Sequence, residues 1–432
     1  MTTERRRIAI IGAGPVGLEA ALFAVRAGYR VDVYERSRVG DNIRRWGHVR
    51  LFSPFGLNAS AWGRRALREF HDAKCTTRTP LPSREGLGEG PDAQVLPGGD
   101  DLLTGSEFVE RYLLPLSRLP RLADYIHEQV EVCSIARSHC LKRDFIGKPE
   151  RGRDPFRLLL RDRGGERVAF ADCVLDCSGT FGNHNWAGAG GMPAVGETSA
   201  LTGDNYLLPD ITGCDHERFA DKTTLVVGGG YSAATAVVAL ARLSESKPNT
   251  RAVWITRSKR REPIERIDGD ALLERDSLAG IANRLATAAT GPVEWRPGRL
   301  IVRIERSVAN DGYRVELTCV GERRDAPHEE LSVDCVIANV GYRPDRSLYE
   351  ELQVHECYAS GGPMKLAAAL LGETSADCLS QVSPGPQALV NPEPGFFILG
   401  AKSYGRDSRF LINVGLQQIR DVFSLLPGER DA

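Results

Sequence analysis

The chain is 432 residues long, 42% hydrophobic and 26% charged, and 56 Lys and Arg against 57 Asp and Glu give a formal net charge of -1. At roughly 100–200 residues per domain the length predicts two or three domains, and the composition excludes disordered, collagen-like and small disulfide-scaffold classes. The balanced charge gives no basis for a polyanionic partner, so nucleic acid is not expected.

Met1-Thr-Thr-Glu-Arg-Arg-Arg leads straight into Ile8-Ala-Ile-Ile11, a short apolar run of the kind a buried parallel strand produces, and not into an apolar leader. Nowhere does a run approach the roughly 20 apolar residues of a spanning helix, so no membrane is expected and the expected compartment is the cytoplasm. Gly12-Ala-Gly14-Pro15-Val-Gly17 follows the strand and opens a helix from Leu18 to Ala27, after which Val31-Asp-Val-Tyr34 restores strand character. A glycine loop between strand and helix is a pyrophosphate cradle. Gly12 permits the turn, Gly14 admits the ligand, Gly17 lets helix and strand close up, and the helix N-terminus supplies N–H groups. Glu35 ends the second strand, where a carboxylate accepts from ribose hydroxyls and repels a 2′-phosphate. The site is therefore expected to take an unphosphorylated adenosine, as in FAD or NAD.

Thr79 to Gly99 is rich in Pro and Gly without hydrophobic periodicity and is expected to be an exposed loop near an entrance. Glu107 to Leu119 reads as a helix, and Gln129 to Cys133 and Val168 to Cys177 read as strands. The strand–loop–helix–strand pattern then returns: Thr224 to Val227, Gly228-Gly-Gly230-Tyr231-Ser232-Ala233, a helix to Leu243, and Ala252 to Ile255. Two such units imply two dinucleotide-binding domains. The second acidic position is replaced by Thr256-Arg257-Ser-Lys259-Arg260-Arg261, a cluster suited to hold a 2′-phosphate by charge-assisted hydrogen bonds, which favours NADPH over NADH. A solvated basic turn is the alternative reading. A last strand, Phe396 to Leu399, precedes a helix from about Val414 to Leu426.

No two of the ten cysteines are spaced Cys-x-x-Cys. Cys173, Cys177 and Cys335 fall in apolar strand-like runs and are expected to be buried and inert, whereas Cys357 and Cys378 are open to pairing. The eight histidines are scattered without ligand spacing, so no metal site is expected, and there is no nucleophile elbow.

Both glycine loops, together with Val174-Leu-Asp-Cys-Ser178-Gly179-Thr180 and Val336-Ile-Ala-Asn-Val-Gly-Tyr-Arg-Pro-Asp345, resemble the two-dinucleotide-binding-domain flavoproteins. That superfamily includes thioredoxin reductase-like enzymes, flavin-containing monooxygenases and N-hydroxylating monooxygenases. The resemblance spans most of the chain. It implies an α/β fold of two Rossmann-like domains with three-layer sheets, with an NADPH domain (201–330) inserted in a discontinuous FAD domain (1–200 and 331–432). It implies FAD in the first loop, NADPH in the second, a small-molecule substrate, and room for a homo-oligomer. Val130 occupies the stretch whose main chain passes the FAD adenine in such proteins.

The segment from Asn42 to Asn58, with Arg44, Trp46, His48, Arg50 and Ser53, is similar to the stretch that family members bring against the isoalloxazine ring, mixing apolar area with donors, and Arg36 after Glu35 is a further cofactor-binding candidate. For Trp46 and His48, flavin contact and core packing both remain open. After Gly400, family reductases usually carry an Asp; here Ala401 and Lys402 follow. Lys402, Tyr404 and Arg406 are candidates to hold substrate or flavin, or ordinary loop residues. Asn413 opens the last helix, whose N-terminus suits the negative charge of reduced flavin. Phe181-Gly-Asn-His184-Asn-Trp186 is similar to a monooxygenase fingerprint, but with tighter spacing. The missing Cys-x-x-Cys favours a monooxygenase that forms a flavin C4a-peroxide and oxygenates nitrogen, sulfur or a carbonyl carbon. The alternative is a reductase of a disulfide, quinone or protein acceptor, with the 79–99 segment as a lid in the first case and Cys357 and Cys378 as an acceptor pair in the second.

Overall fold

The computed structural model describes residues 6–76, 96–307, 311–323, 327–372 and 383–426, with side chains to residue 73 in the first stretch. Two compact units emerge: Met1–Thr180 with Pro344–Ala432, and Phe181–Arg343.

The first unit begins with strand β1 (Arg7–Ile11), helix α1 (Pro15–Arg26) and strand β2 (Arg30–Glu35). Pro15 suits the first turn of α1 because its missing N–H has no partner there in any case. A helix α2 (Ala61–Thr76) follows, then strands β3 (Ile126–Glu128), β4 (Glu131–Arg137), β5 (Phe156–Asp162), β6 (Gly165–Ala171) and β7 (Cys173–Asp176). The expected strand 168–177 is thus two. It breaks at Asp172, whose carboxylate accepts from the Arg7 N–H (2.8 Å). The strand expected from Gln129 starts at Glu131, because Gln129 turns with φ 59°.

In the second unit, strand β8 (Thr223–Val227), helix α3 (Tyr231–Ser246) and strand β9 (Arg251–Thr256) repeat the opening pattern. Helix α4 (Leu273–Thr287), β10 (Val293–Pro297), the antiparallel β11 (Arg299–Arg306), β12 (Tyr313–Cys319) and β13 (Glu329–Val333), and β14 (Cys335–Ala338) complete it. The chain returns to the first unit with α5 (Met364–Gly372), β15 (Phe396–Ile398) and α6 (Ile412–Leu425).

Each unit is built on a parallel sheet, in the order β15-β7-β1-β2-β3 in the first and β10-β9-β8-β14 in the second, and each carries a three-stranded antiparallel sheet, β4-β5-β6 and β11-β12-β13. Alternation along the strands makes the layers. Ile8 and Ile10 pack with α1 and α6, while Ala9 and Ile11 pack with β4 and β5. In the second unit Val226 and Trp254 face the helices, and Leu225, Val227, Val253 and Ile255 face β11 to β13. Each Val, Leu and Ile among these, fully buried, contributes about 1.5–3 kcal/mol, so a strand buried on both faces needs no polar side chain to hold it.

The units meet at 180/181 and 343/344, where the sequence reading puts the boundaries near 200 and 330. The segment after Thr180 goes with the second unit because it pairs there: His184 bridges Tyr342, Gly188 bridges Ile301 and Val195 bridges Arg303. In the first unit the returning chain is clamped by buried charge. Glu393 sits between Arg137 (2.7 Å) and Arg151 (2.8 Å), all three fully buried, and also accepts from the Gln353 N–H (2.9 Å).

Candidate functional site

The first glycine loop is shaped by contacts that only glycine permits. Gly12 has φ +96°, and a Cβ on Gly17 would stand 2.0 Å from the Gly12 carbonyl oxygen, so α1 approaches β1 more closely than any side chain allows. Gly14 differs. A Cβ there would meet nothing within 4 Å, which leaves space at the mouth of α1. Glu35 lies where expected, but its oxygens already accept from the loop, from the Ala13 N–H (2.9 Å) and the Ser37 N–H (2.8 Å). Burial raises its pKa and these two donors oppose the rise. A carboxylate offers about four lone-pair positions, so acceptor capacity remains for a ribose. Arg36 beside it is exposed.

Around this loop the fold gathers two further segments. At the end of β7, Asp176 accepts from the Ser178 N–H (3.1 Å) and hydroxyl (2.6 Å), and Gly179 turns with φ +70°. From the tail, Lys402 places its Nζ 2.7 Å from Asp176 and 3.0 Å from the Ser178 hydroxyl, with both side chains of the ion pair at 1% exposure or less. Gly400 donates its N–H to Gln418 Oε1 (2.8 Å) and lies against Val16. Gly415 of α6 packs on the same Val16 so tightly that a Cβ would stand 2.6 Å from it. Lys402 is therefore no free cation for substrate. Its charge is matched by Asp176, and it fastens the tail turn to the first linker.

The remaining candidates divide. Tyr404 is buried with its ring edge-on to Phe410 (5.4 Å), and Arg406 is exposed, its N–H donating to the Ser360 carbonyl (2.8 Å). Asn413 is half-buried in the first turn of α6 and lines a cavity described below. His48 and Arg44 are exposed, and Trp46 is half-buried against Gly105, where a Cβ would stand 2.9 Å from the indole. Arg50 donates to the Leu102 carbonyl (2.6 Å), and the Ser53 hydroxyl is taken by Asn58 (2.8 Å) in a buried pair. Both therefore brace this loop. Val130 donates its N–H to the Glu35 carbonyl (2.9 Å), which fixes its main chain beside the end of β2.

The second loop repeats the logic with one change. Gly228 has φ +138°, and a Cβ would stand 2.3 Å from the Asn339 carbonyl oxygen. Ala233 is buried with its Cβ 3.6 Å from where a Cβ on Gly228 would lie, so a methyl fits where the first loop needs Gly17. Gly230 is open, Tyr231 is half-buried at the start of α3, and Ser232 is exposed. In the basic cluster, Thr256 is buried and its hydroxyl accepts from the Trp295 indole N–H (3.1 Å), so it is a brace rather than a ligand group. Arg257, Lys259, Arg260 and Arg261 are exposed, and Arg260 pairs with Glu265 (2.5 Å).

The fingerprint-like segment packs within the second unit. His184 stacks on Tyr206 with 3.5 Å between ring centroids, edge-on to Trp186, and the Tyr206 hydroxyl donates to the buried Glu197 (2.6 Å). Burial pushes the Cys173 thiol up to about 12 and the Cys177 thiol well above its ordinary value. Cys357 runs the other way: donation from the Ser360 and Ala359 N–H groups and the Ser360 hydroxyl lowers it. Cys378, the Cys75 side chain and residues 79–95 of the expected lid lie outside the described residues. Among the described residues no group of three or more His, Cys, Asp or Glu could hold a metal, and no helix is long and apolar enough to cross a membrane.

Sequence reasoning passed over Asp176, Glu19 and Gln418. Asp176 carries a signal, a carboxylate closing the apolar strand Cys173-Val-Leu-Asp176; Glu19 and Gln418 sit inside helices and carry none.

No protein-family model matches the chain, and no curated protein matches it. Solved structures do. The bacillithiol disulfide reductase of Bacillus cereus aligns with a TM-score of 0.63 at 16% identity over 98% of each chain. An ornithine N-hydroxylase of Kutzneria sp. 744, solved with reduced FAD, NADP+ and L-ornithine, gives 0.59 at 15% identity over 98% of this chain and 99% of that one. The thioredoxin reductase of T. acidophilum gives 0.55 at 16% over 97% and 99%. The chain has the two-dinucleotide-binding-domain flavoprotein fold.

Proposed function

We propose that the chain is an FAD- and NADPH-dependent oxidoreductase, and that it is a monooxygenase acting on a small molecule. Both loops fit their cofactors on their own geometry. The space at Gly14, walled by α1 and backed by Glu35, suits the pyrophosphate and ribose of FAD. The open Gly230, with exposed Arg257 and Arg261 after β9, suits NADPH. The solved reductases and the solved N-hydroxylase share this fold and support the oxidoreductase reading equally.

FAD held at the first loop would supply the redox chemistry, and NADPH held at the second would supply the hydride. The chain's own residues do the rest. Glu35 and Val130 fix the end of β2, and the buried Asp176 and Lys402, with Ser178, hold the linker and tail turn together. The first turn of α6 offers N–H groups that favour negative charge. The observation that carries the monooxygenase reading is the state of the cysteines. Those in the linker strands, Cys173, Cys177 and Cys335, are all held protonated by burial, and a protonated thiol is a poor redox nucleophile. Cys357 favours the second reading, a reductase, because its thiol is lowered.

The test is to reduce the yellow protein anaerobically with NADPH and mix it with oxygenated buffer. A transient spectrum belonging to neither reduced nor oxidised flavin supports the monooxygenase. Direct single-step reoxidation, together with loss of turnover in Cys357→Ser, overturns it in favour of the reductase.

A further inference from the structure

Outside the glycine loops, the first unit contains a second concave site. A cavity of about 210 Å³ opens between the start of α2 and the first three turns of α6. Its polar lining is Ser60, Arg64, Asn413, Gln417 and Arg420, and no Asp or Glu lines it. We propose that this cavity binds a small organic oxyanion, a carboxylate or a phosphate ester, between the Arg64 and Arg420 guanidinium groups. The cavity shares the first turn of α6 with the flavin reading, and the test below separates the two.

Four observations converge on an anion. Neither guanidinium has an ion pair or side-chain hydrogen bond to any described residue, although Arg64 is half-buried and the buried Arg137, Arg151 and Lys402 of this unit are all paired. Two cations without a direct ion pair line one concavity, and an anion between them would meet two planar donor forks. The nearest acids make no direct pair with either arginine, although Glu19 acts on the Arg64 charge through space. Both Glu19 oxygens accept hydrogen bonds, from the Ser60 N–H (2.8 Å), the Ser60 hydroxyl (2.7 Å) and the Tyr112 hydroxyl, and Asp421 accepts from the Ser383 hydroxyl.

The amides are oriented to donate as well. Gln417 uses its Oε1 to accept from the Ser383 N–H (2.9 Å), which leaves its NH₂ as the free end. Asn413 is the second residue of a 14-residue helix whose N-cap, Leu411, provides no side-chain acceptor. The first-turn N–H groups therefore add positive potential to the same wall. Ser60 contributes little, since its hydroxyl donates to Glu19 and accepts from the Gly63 N–H (2.8 Å). The cavity is smaller than the ~300–1,000 Å³ that drug-sized ligands occupy, which fits a compact anion rather than a dinucleotide.

The test is calorimetric titration of the protein as purified with inorganic phosphate and, separately, succinate, with chloride holding the ionic strength constant. Saturable one-to-one binding of either supports the site, and which of the two binds tells phosphate from carboxylate. Arg420→Gln, at an exposed position, and Arg64→Gln should each weaken binding about tenfold or more, the loss expected of a charge-assisted hydrogen bond. The proposal is overturned if neither anion binds, if both variants bind as the parent does, or if either anion releases flavin into the filtrate. The last result would make the cavity part of the flavin site.

Discussion

Replacing Gly14 and Gly17 one at a time by alanine separates a glycine needed by a ligand from a glycine needed by the fold. At Gly14 the backbone has φ −83° and ψ −172°, open to any residue, and a Cβ meets nothing within 4 Å. Alanine is a poorer N-cap than glycine by about 0.5–1 kcal/mol, but it gains about 0.4–1 kcal/mol by restricting the unfolded chain, so the apoprotein should be unchanged within about 0.5 kcal/mol. At Gly17 the Cβ would lie 2.0 Å from the Gly12 carbonyl, 1.0 Å inside the 3.0 Å that real Cβ atoms essentially never breach (3.0 − 2.0), and the obstacle is backbone. Forcing α1 off β1 costs about 1–3 kcal/mol or more, a fall of several degrees in Tm. The assay is the flavin-to-protein absorbance ratio together with Tm of the apoproteins, because bound ligand raises Tm by mass action. Gly14→Ala should lose flavin with an unchanged apoprotein Tm, and Gly17→Ala should lose both. Gly14→Ala that keeps its flavin at undiminished affinity refutes the cradle.

Lys402→Met should cost about 3–5 kcal/mol in urea denaturation because it strands buried Asp176, and pairing it with Asp176→Asn should recover most of the loss. Glu19→Leu leaves the Tyr112 hydroxyl and the Ser60 N–H without their acceptor, about 1–3 kcal/mol each by thermal unfolding. Glu19→Gln keeps an acceptor and removes only the charge. Burial raises the Glu19 pKa above its ordinary 4.5, so the folded state holds the proton more tightly than the unfolded chain. The sign follows: its contribution is fully present below 4.5 and is lost as pH rises through the raised folded value. Glu19→Gln should therefore gain on the parent as pH rises through that window, and parallel stability–pH curves would contradict the assignment. Arg257→Glu with Arg261→Glu should raise KM for NADPH about tenfold or more while leaving NADH little changed in steady-state kinetics. Equal effects on both would mark the cluster as a solvated turn.

Both parallel sheets and both glycine loops were legible because they depend on local rules. Apolar runs such as Ile8 to Ile11 are buried on both faces, and glycines at fixed offsets from a strand have one mechanical use. The boundaries were less so. Residues 181–200 join the second unit through bridges at His184, Gly188 and Val195, long-range pairings that leave no periodicity behind. Among the candidate site residues, Ser53, Arg50 and Thr256 looked like ligand groups by type, yet each is occupied by a protein neighbour, Asn58, Leu102 and Trp295 in turn. The pairing of Lys402 was hidden because its partner, Asp176, lies 226 positions earlier (402 − 176) in an apolar strand. Glu19 was hidden inside α1, where its partners come from residue 60 and residue 112. Side-chain chemistry can be read from one residue, whereas whether that chemistry is free depends on what the fold brings to it.

The most direct test of the central claim is anaerobic titration of the purified protein with NADPH and, in parallel, NADH, following the flavin absorbance. FAD in the first loop and NADPH in the second predict a yellow protein whose flavin band bleaches stoichiometrically with NADPH and more slowly with NADH. A protein that takes up no FAD, or whose bound flavin stays oxidised under excess NADPH, would contradict the account.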